Sequence, residues 1–437
     1  MGEKVFWFLL GGILVLIFLF QKQYRWNLLT ISILGFIAGW RGIHISAGVT
    51  IYPTEFFIWL GFLIYLLGRT SRLGGVNQPK PSFFEVAVAL LALIGGITAL
   101  IYAHPLSEIL DPLKSFIVFI PMLVLFRSWI RNKQQIVFFA RMLVYAGTII
   151  SILGLMERYI PAISALFPNF SASPIETRYN FGFDSYVNLA AFSFWGTPVV
   201  STLLVLFTGL AVFVPKPNIR WQKIIWFLTA PLLTLAIIST GYRSAWLGLI
   251  LVLILGVVFN PWQILPWLVL VIPASFVLFS SAFLDRLKTV LSIPALLDPT
   301  FETRYSAMQN GLQTIKLNFI FGIGWGSPTT FNDWVNIGVA LGLIGLLAFA
   351  IWYGLLLINL LKFVRKTHGR DNFLICMSFF TPLAGYSLVM LSGAMSQVFP
   401  IMTGFWFVFC LGWRLVEILK EEEFINGKAV SLATDLQ

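Results

Sequence analysis

Three arginines stand among glycines and aromatics in segments that interrupt long apolar runs, and two of them, Arg304 and Arg178, have carboxylates or amides close by. Arg243 lies in Ser239-Thr-Gly-Tyr-Arg-Ser-Ala-Trp246, between two apolar stretches with almost no loop to carry it into water. Arg304 follows Asp298-Pro299, and Arg178 lies in Glu176-Thr-Arg-Tyr-Asn-Phe-Gly-Phe-Asp184. A guanidinium presents a planar fork of donors that matches the oxygens of a phosphate, so such arginines are candidates for clamping an anion. A carboxylate near them could accept a proton from a reacting hydroxyl. Asp333, in Phe331-Asn-Asp-Trp334, and Glu302 are the candidates for that role.

The elements that must position these residues are membrane helices. Of 437 residues 58% are hydrophobic and 11% charged, far below the roughly one-quarter charged residues of an ordinary soluble domain. The apolar runs approach or exceed the roughly 20 residues that cross a bilayer core. They predict an all-α polytopic bundle, one domain over residues 1–437, with helices at 5–20, 28–40, 53–67, 83–103, 113–126, 136–156, 187–214, 224–240, 245–259, 264–283, 334–361, 373–391 and 399–416. A formal charge of +11 is spread over short loops rather than gathered in a patch, which argues against a nucleic-acid partner. Cys376 and Cys410 fall inside apolar runs without metal-ligand spacing and read as packing residues.

Lys and Arg accumulate in cytoplasmic loops. One alternate set of connections holds Lys22 and Arg25; Arg69, Arg72 and Lys80; Arg127, Arg131 and Lys133; Lys216, Arg220 and Lys223; and Lys362, Arg365, Lys366 and Arg370. That set is expected inside. Two long loops, 157–186 and 284–333, are then expected outside, and the stretch 417–437 forms a cytoplasmic tail, frayed after a short helical continuation.

Few ionisable residues fall inside the runs. Arg141 can extend to the headgroups, and Glu55 and Glu85 occupy first helical turns, where a carboxylate suits the helix dipole; these read as structural. Within the second long loop, Phe301, Tyr305, Met308, Leu312 and Ile315 recur at helical spacing, with Glu302 on the opposite side and Arg304 at the edge of the stripe. This helix is expected to lie flat on the membrane or to cap the bundle. Phe321-Gly-Ile-Gly-Trp-Gly326 permits tight turns and close backbone approach. Gly338 and Gly342 form a small-xxx-small face for helix packing.

Tyr242-Arg-Ser-Ala-Trp-Leu-Gly248, the stretch from Arg304 to Gly322-Ile-Gly-Trp-Gly326, and Asn332-Asp-Trp334 leading into Leu341-Gly-Leu-Ile-Gly345 together resemble the O-antigen ligase and O-antigen polymerase family of bacterial envelope glycosyltransferases. Arg178 with Asn180-Phe-Gly182 and Asn188-Leu-Ala190 resembles the family's earlier outer-loop pattern. The resemblance runs from about Arg178 to Trp352. It implies an integral inner-membrane enzyme that polymerises or ligates polysaccharide at the periplasmic face. The donor would be a polyprenyl diphosphate-linked glycan, the acceptor a glycan or lipid, with membrane lipids around them. Arg243, Arg304 and Arg178 would hold the diphosphate; Tyr242, Gly324 and Asn332 would belong to the substrate loops. No Asp-x-Asp pair is present for a metal-bound nucleotide sugar, so neither metal nor cofactor is expected.

The sequence departs from the family at one position. Many family ligases have histidine immediately before this Asn, where Phe331 stands here. Either Asp333 or Glu302 serves as base, or the acceptor differs, or catalysis is lost. A solute or bicarbonate transporter is one alternative, although ion coupling normally needs acidic or histidine residues near the bilayer midplane, and the runs hold none there. A non-catalytic scaffold for polysaccharide assembly is the other.

Overall fold

Lipid offers no partner for a free N–H or C=O, so a chain crossing it must satisfy its backbone within each segment, and helices do so. The computed structural model describes residues 24–38, 43–44, 50–70, 81–160, 197–291, 299–326, 330, 332–366, 369–392 and 401–434. In chain order the helices are α1 (Tyr24–Ala38), α2 (Pro53–Thr70), α3 (Phe83–Ile101), α4 (Leu106–Ile117), α5 (Phe119–Trp129), α6 (Lys133–Tyr159), α7 (Thr197–Phe213), α8 (Arg220–Thr240), α9 (Arg243–Phe259), α10 (Pro261–Leu291), α11 (Pro299–Leu317), α12 (Asp333–Lys366), α13 (Arg370–Ser392) and α14 (Ile401–Thr434). The β structure among the described residues is one antiparallel pair, β1 (Ile43–His44) with β2 (Thr50–Ile51). Among the described residues eight spans are long and apolar enough to cross a membrane, with four shorter apolar helices beside them. The expected helix at 5–20 lies outside the described residues.

The residues place themselves by face. On α3, Val88, Ala92, Gly95 and Ala99 are buried, whereas Val86, Leu90, Leu93, Ile97 and Leu100 are exposed to lipid. Both sets follow helical spacing. From Val200 to Val214, along α7, every residue is buried, which makes it a central helix. Gly209 brings it against the backbone of Pro382 in α13. Pro121 lacks an amide hydrogen and its ring crowds the carbonyl four residues back, so the run expected at 113–126 is divided at Val118 into α4 and α5.

One end of the bundle is closed by ion pairs. Arg127 reaches Glu85 at 2.6 Å and also bonds Glu417; Arg414 reaches Glu417 (3.2 Å) and Glu421 (3.0 Å), and its Nε donates to the Ile130 carbonyl. Lys133 bonds Asn372 and Glu422, and Arg141 donates to the carbonyls of Pro215 and Lys216. The helical continuation expected past 416 is longer than a short one: α14 runs to Thr434, and Glu417, Glu421 and Glu422 anchor its first part through these pairs. Similarly, α10 runs to Leu291, past the expected end at 283.

The largest departure is α12. Gly342 has φ 71° and ψ −179°, a conformation open to glycine, and divides the helix into arms 333–341 and 343–366. In one straight helix Trp334 and Tyr353 would lie about 28 Å apart. Their rings are 5.8 Å apart, Trp334 also lies 5.7 Å from Phe349, and a Cβ on Gly338 would touch Leu346. The chain therefore reverses at Gly342 and the short arm folds back on the long one. Carbonyls freed by the break are taken by the glycine loop: Ile323 N–H donates to Val339 O (2.9 Å) and Gly324 N–H to Ala340 O (3.2 Å), while Leu343 N–H donates to Phe319 O (2.8 Å). Trp325 ties the loop to α3, its indole donating to Ala92 O at 2.8 Å.

Candidate active site

The reversal between α8 and α9 takes two residues. Gly241, at φ 62°, ends α8 in a left-handed cap, and Tyr242 is the N-cap of α9, which makes Arg243 its first residue. The Tyr242 amide donates to Thr240 Oγ1 and the Trp246 indole to Ile237 O, fixing the turn from both sides. Arg243 is half-buried. A guanidinium at a helix N-terminus adds its charge to amides that already favour anions. Gly248 packs on Gly385 and Val389, and Gly385 on Val252, so α9 and α13 run antiparallel in close contact. That register brings the Arg243 end of α9 to the Leu391 end of α13.

Asn332 meets the same place. Its Nδ2 donates to Leu391 O at 3.1 Å, and its Oδ1 accepts from the Val335 amide at 3.1 Å, which makes Asn332 the N-cap of α12. Thr330 and Asn336 lock the approach through reciprocal bonds, Thr330 N–H to Asn336 Oδ1 (2.6 Å) and Asn336 Nδ2 to Thr330 O (3.0 Å). Asp333 is thus spared the capping role, and it is fully buried, with 0% of its surface exposed. Tyr386, on α13, lies within electrostatic range of Asp333, Tyr242 and Tyr353.

Arg304 is half-buried on α11. The stripe expected to pack is turned by about one residue: Tyr305 and Leu312 are exposed, whereas Met308, Gly311 and Ile315 face α12, with Gly311 against Thr330 and Val335 and Ile315 against Gly338. Arg304 shares that face, because 304, 308, 311 and 315 follow helical spacing. Glu302 is exposed. Gly324, at φ 88°, is pressed against the backbone of Ala99. The structure therefore brings Tyr242, Arg243, Asn332 and Asp333 to one end of the bundle and sets Arg304 on the helix face that packs beside Asp333's arm. Arg178, with Glu176 and Asp184, and Phe331 lie outside the described residues.

The O-antigen ligase family model matches residues 227–350. Over that segment the chain is similar to the O-antigen ligase family. The match begins in α8 and ends in the long arm of α12, so it takes in Tyr242, Arg243, Glu302, Arg304, Gly324, Asn332 and Asp333. The resemblance at Arg178 and Asn188 falls before it. No curated protein matches the chain. Together with the apolar spans, the match supports an O-antigen ligase-type integral membrane enzyme.

Among the described residues, no three His, Cys, Asp or Glu side chains group in a way that could hold a metal ion. A second polar cluster does occur beside α4. Glu55, 1% exposed, is paired with Lys114 at 3.1 Å and accepts from Ser115 at 3.3 Å; Lys114 also bonds Asp111 and the Thr50 carbonyl. Burial, and then the charges of Asp111 and Glu55, push the Tyr52 phenol up to about 12. Glu55 is thus more than a dipole partner. So is Glu85, which forms a reciprocal cap with Ser82 and also holds Arg127. Their positions in first turns were visible in the sequence; their cationic partners, 59 and 42 residues away, were not. Tyr386 was missed because one tyrosine among many aromatics in an apolar run carries no local signal.

Proposed function

We propose that this enzyme transfers a glycan from a polyprenyl diphosphate-linked donor to a glycan or lipid acceptor, polymerising or ligating polysaccharide at the periplasmic face of a bacterial inner membrane. The observation that carries the reading is Arg243 at the first position of α9, beside the end of α13 that Asn332 grips next to the buried Asp333. An acceptor hydroxyl attacks the anomeric carbon of the donor sugar. Its oxygen forms the new C–O bond, and its proton passes to the Asp333 carboxylate. The bond between the anomeric carbon and the diphosphate breaks, and its electron pair leaves on the diphosphate oxygen. Arg243 receives that charge, with Arg304 and Arg178 holding the remaining phosphate oxygens. Glu302 is exposed, which favours Asp333 as the base.

Deleting the gene in its source cell is expected to stop assembly of the surface polymer and to accumulate its polyprenyl diphosphate-linked precursor. A plasmid copy restores both, and an Asp333→Asn copy at equal protein level restores neither. A deletion strain with normal polymer and no accumulated precursor would sink the proposal.

A further inference from the structure

Two tyrosines flank Phe405 in the bundle core. Tyr353 stacks on it at 5.9 Å and Tyr386 at 5.1 Å. They differ in one respect. The Tyr353 hydroxyl bonds the Leu383 carbonyl at 2.6 Å and Ser387 at 2.8 Å, whereas the Tyr386 hydroxyl is fully buried and has no hydrogen-bond partner among the described residues. A buried hydroxyl is destabilising unless something bonds it, and orphans of this kind call for an explanation. Several other buried orphans are indole N–H groups, such as those of Trp352, Trp406 and Trp413, enclosed in the aromatic cluster. Tyr386 instead lies less than two turns before Leu391, whose carbonyl Asn332 holds, and within range of Asp333 and Tyr242.

We infer that Tyr386 is a further substrate-contacting residue, whose phenol O–H donates to a sugar oxygen of the acceptor held against Asp333. The inference rests on the glycan-transfer reading above. The protein leaves the donor unfilled, and the ligand chemistry that fills it is a neutral oxygen acceptor, such as the hydroxyl or ring oxygens of a sugar. With the ring clamped on Phe405, the hydroxyl is held in a fixed direction, so it selects for a correctly oriented acceptor as well as for affinity.

The test compares Tyr386→Phe with Tyr353→Phe in purified full-length protein. The donor is the lipid-linked glycan extracted from source cells deleted for the gene, and the membrane fraction of those cells supplies the acceptor. Tyr386→Phe is expected to lower kcat/KM by about 10- to 100-fold, with a melting temperature equal to or above that of the unaltered protein. Tyr353→Phe loses two satisfied bonds, and is expected to melt lower while keeping its kcat/KM. If Tyr386→Phe retains full kcat/KM while Asp333→Asn is inactive, the Tyr386 assignment is wrong and the transfer reading stands. If Asp333→Asn is fully active, the reading of the site fails and the inference falls with it. A Tyr386→Phe protein that melts lower with unchanged kcat/KM marks the phenol as structural, and also overturns the inference.

Discussion

A lysine at position 243 would keep the charge and lose the fork. Because an ammonium cannot reproduce two parallel donors on a diphosphate, Arg243→Lys is expected to lower turnover by about 100-fold with little change in thermal stability. Wild-type polymer assembly at equal protein level would refute the clamp. Asp333 poses a cleaner question than its place in the sequence implied, since an Asp at a helix start ordinarily caps. Here Asn332 caps, so Asp333→Asn and Asp333→Ala both leave the cap intact and should both lose about 100-fold or more in turnover. Asn332→Ala, by contrast, should cost roughly 1 kcal/mol of stability, read as a lower unfolding midpoint. An active Asp333→Asn enzyme would reassign the base. The arginines and carboxylates were legible because charged residues are scarce in a chain with 11% charge. Asn332 caps through its Oδ1 while its Nδ2 holds the Leu391 carbonyl, 59 residues away, and that second bond is one no local pattern encodes.

Hydropathy at the scale of the element found the helices but not their faces or breaks. Residues 334–361 read as one apolar rod because glycine in such a run says nothing about φ; the reversal at Gly342 exists because residues 319–324 supply bonds for the freed backbone. Gly338 does allow close packing, on Ile315 and Leu346, while Gly342 is the turn itself. The stripe on α11 packs at Met308 and Ile315 but not at Tyr305 and Leu312, for a related reason. Tyr305 and Leu312 are apolar enough for a core, yet beside lipid an exposed apolar side chain has no need of one. Gly324→Ala tests the loop. A methyl there would collide with the Ala99 backbone at a positive φ, so the variant is expected to yield mostly aggregated protein on size-exclusion chromatography in detergent. A monodisperse, active Gly324→Ala enzyme would show that the loop can move away from α3.

Across the whole molecule the polar groups divide between the two ends, with an apolar and aromatic core between them. The network of Arg127, Glu85, Glu417 and Arg414 joins α3, α5 and α14 at one end, and Arg127 is 8% exposed. Arg127→Ala leaves Glu85 without its cation and Glu417 with Arg414 alone, and should destabilise the fold by about 3–5 kcal/mol without altering KM of whatever protein survives. A near-native melting temperature would show that the pairs contribute little. The distribution of basic residues predicts that this end faces the cytoplasm. Single cysteines at Lys22, Arg69, Arg131, Lys216 and Lys366 should then be labelled only from inside, and those at Phe170 and Pro294 from outside. Inside-only labelling at Pro294 would invert the orientation and place the proposed site on the wrong side for an exported glycan.

The short arm of α12 behaves mechanically as a propped cantilever. Its root is clamped by the main-chain bonds of the glycine loop at residues 339, 340 and 343, and its tip, which carries Asp333, is propped by the Asn332 bond to Leu391 and by the Thr330–Asn336 pair. Stiffness at the root therefore sets accuracy at the tip. Slackening the root, by lengthening the glycine loop or by a substitution that loosens Trp325 from α3, would let the carboxylate wander while Arg243, on α9, keeps its place. Such a protein should still bind its lipid-linked donor normally but seldom turn it over, a defect in kcat caused by residues that never touch the substrate.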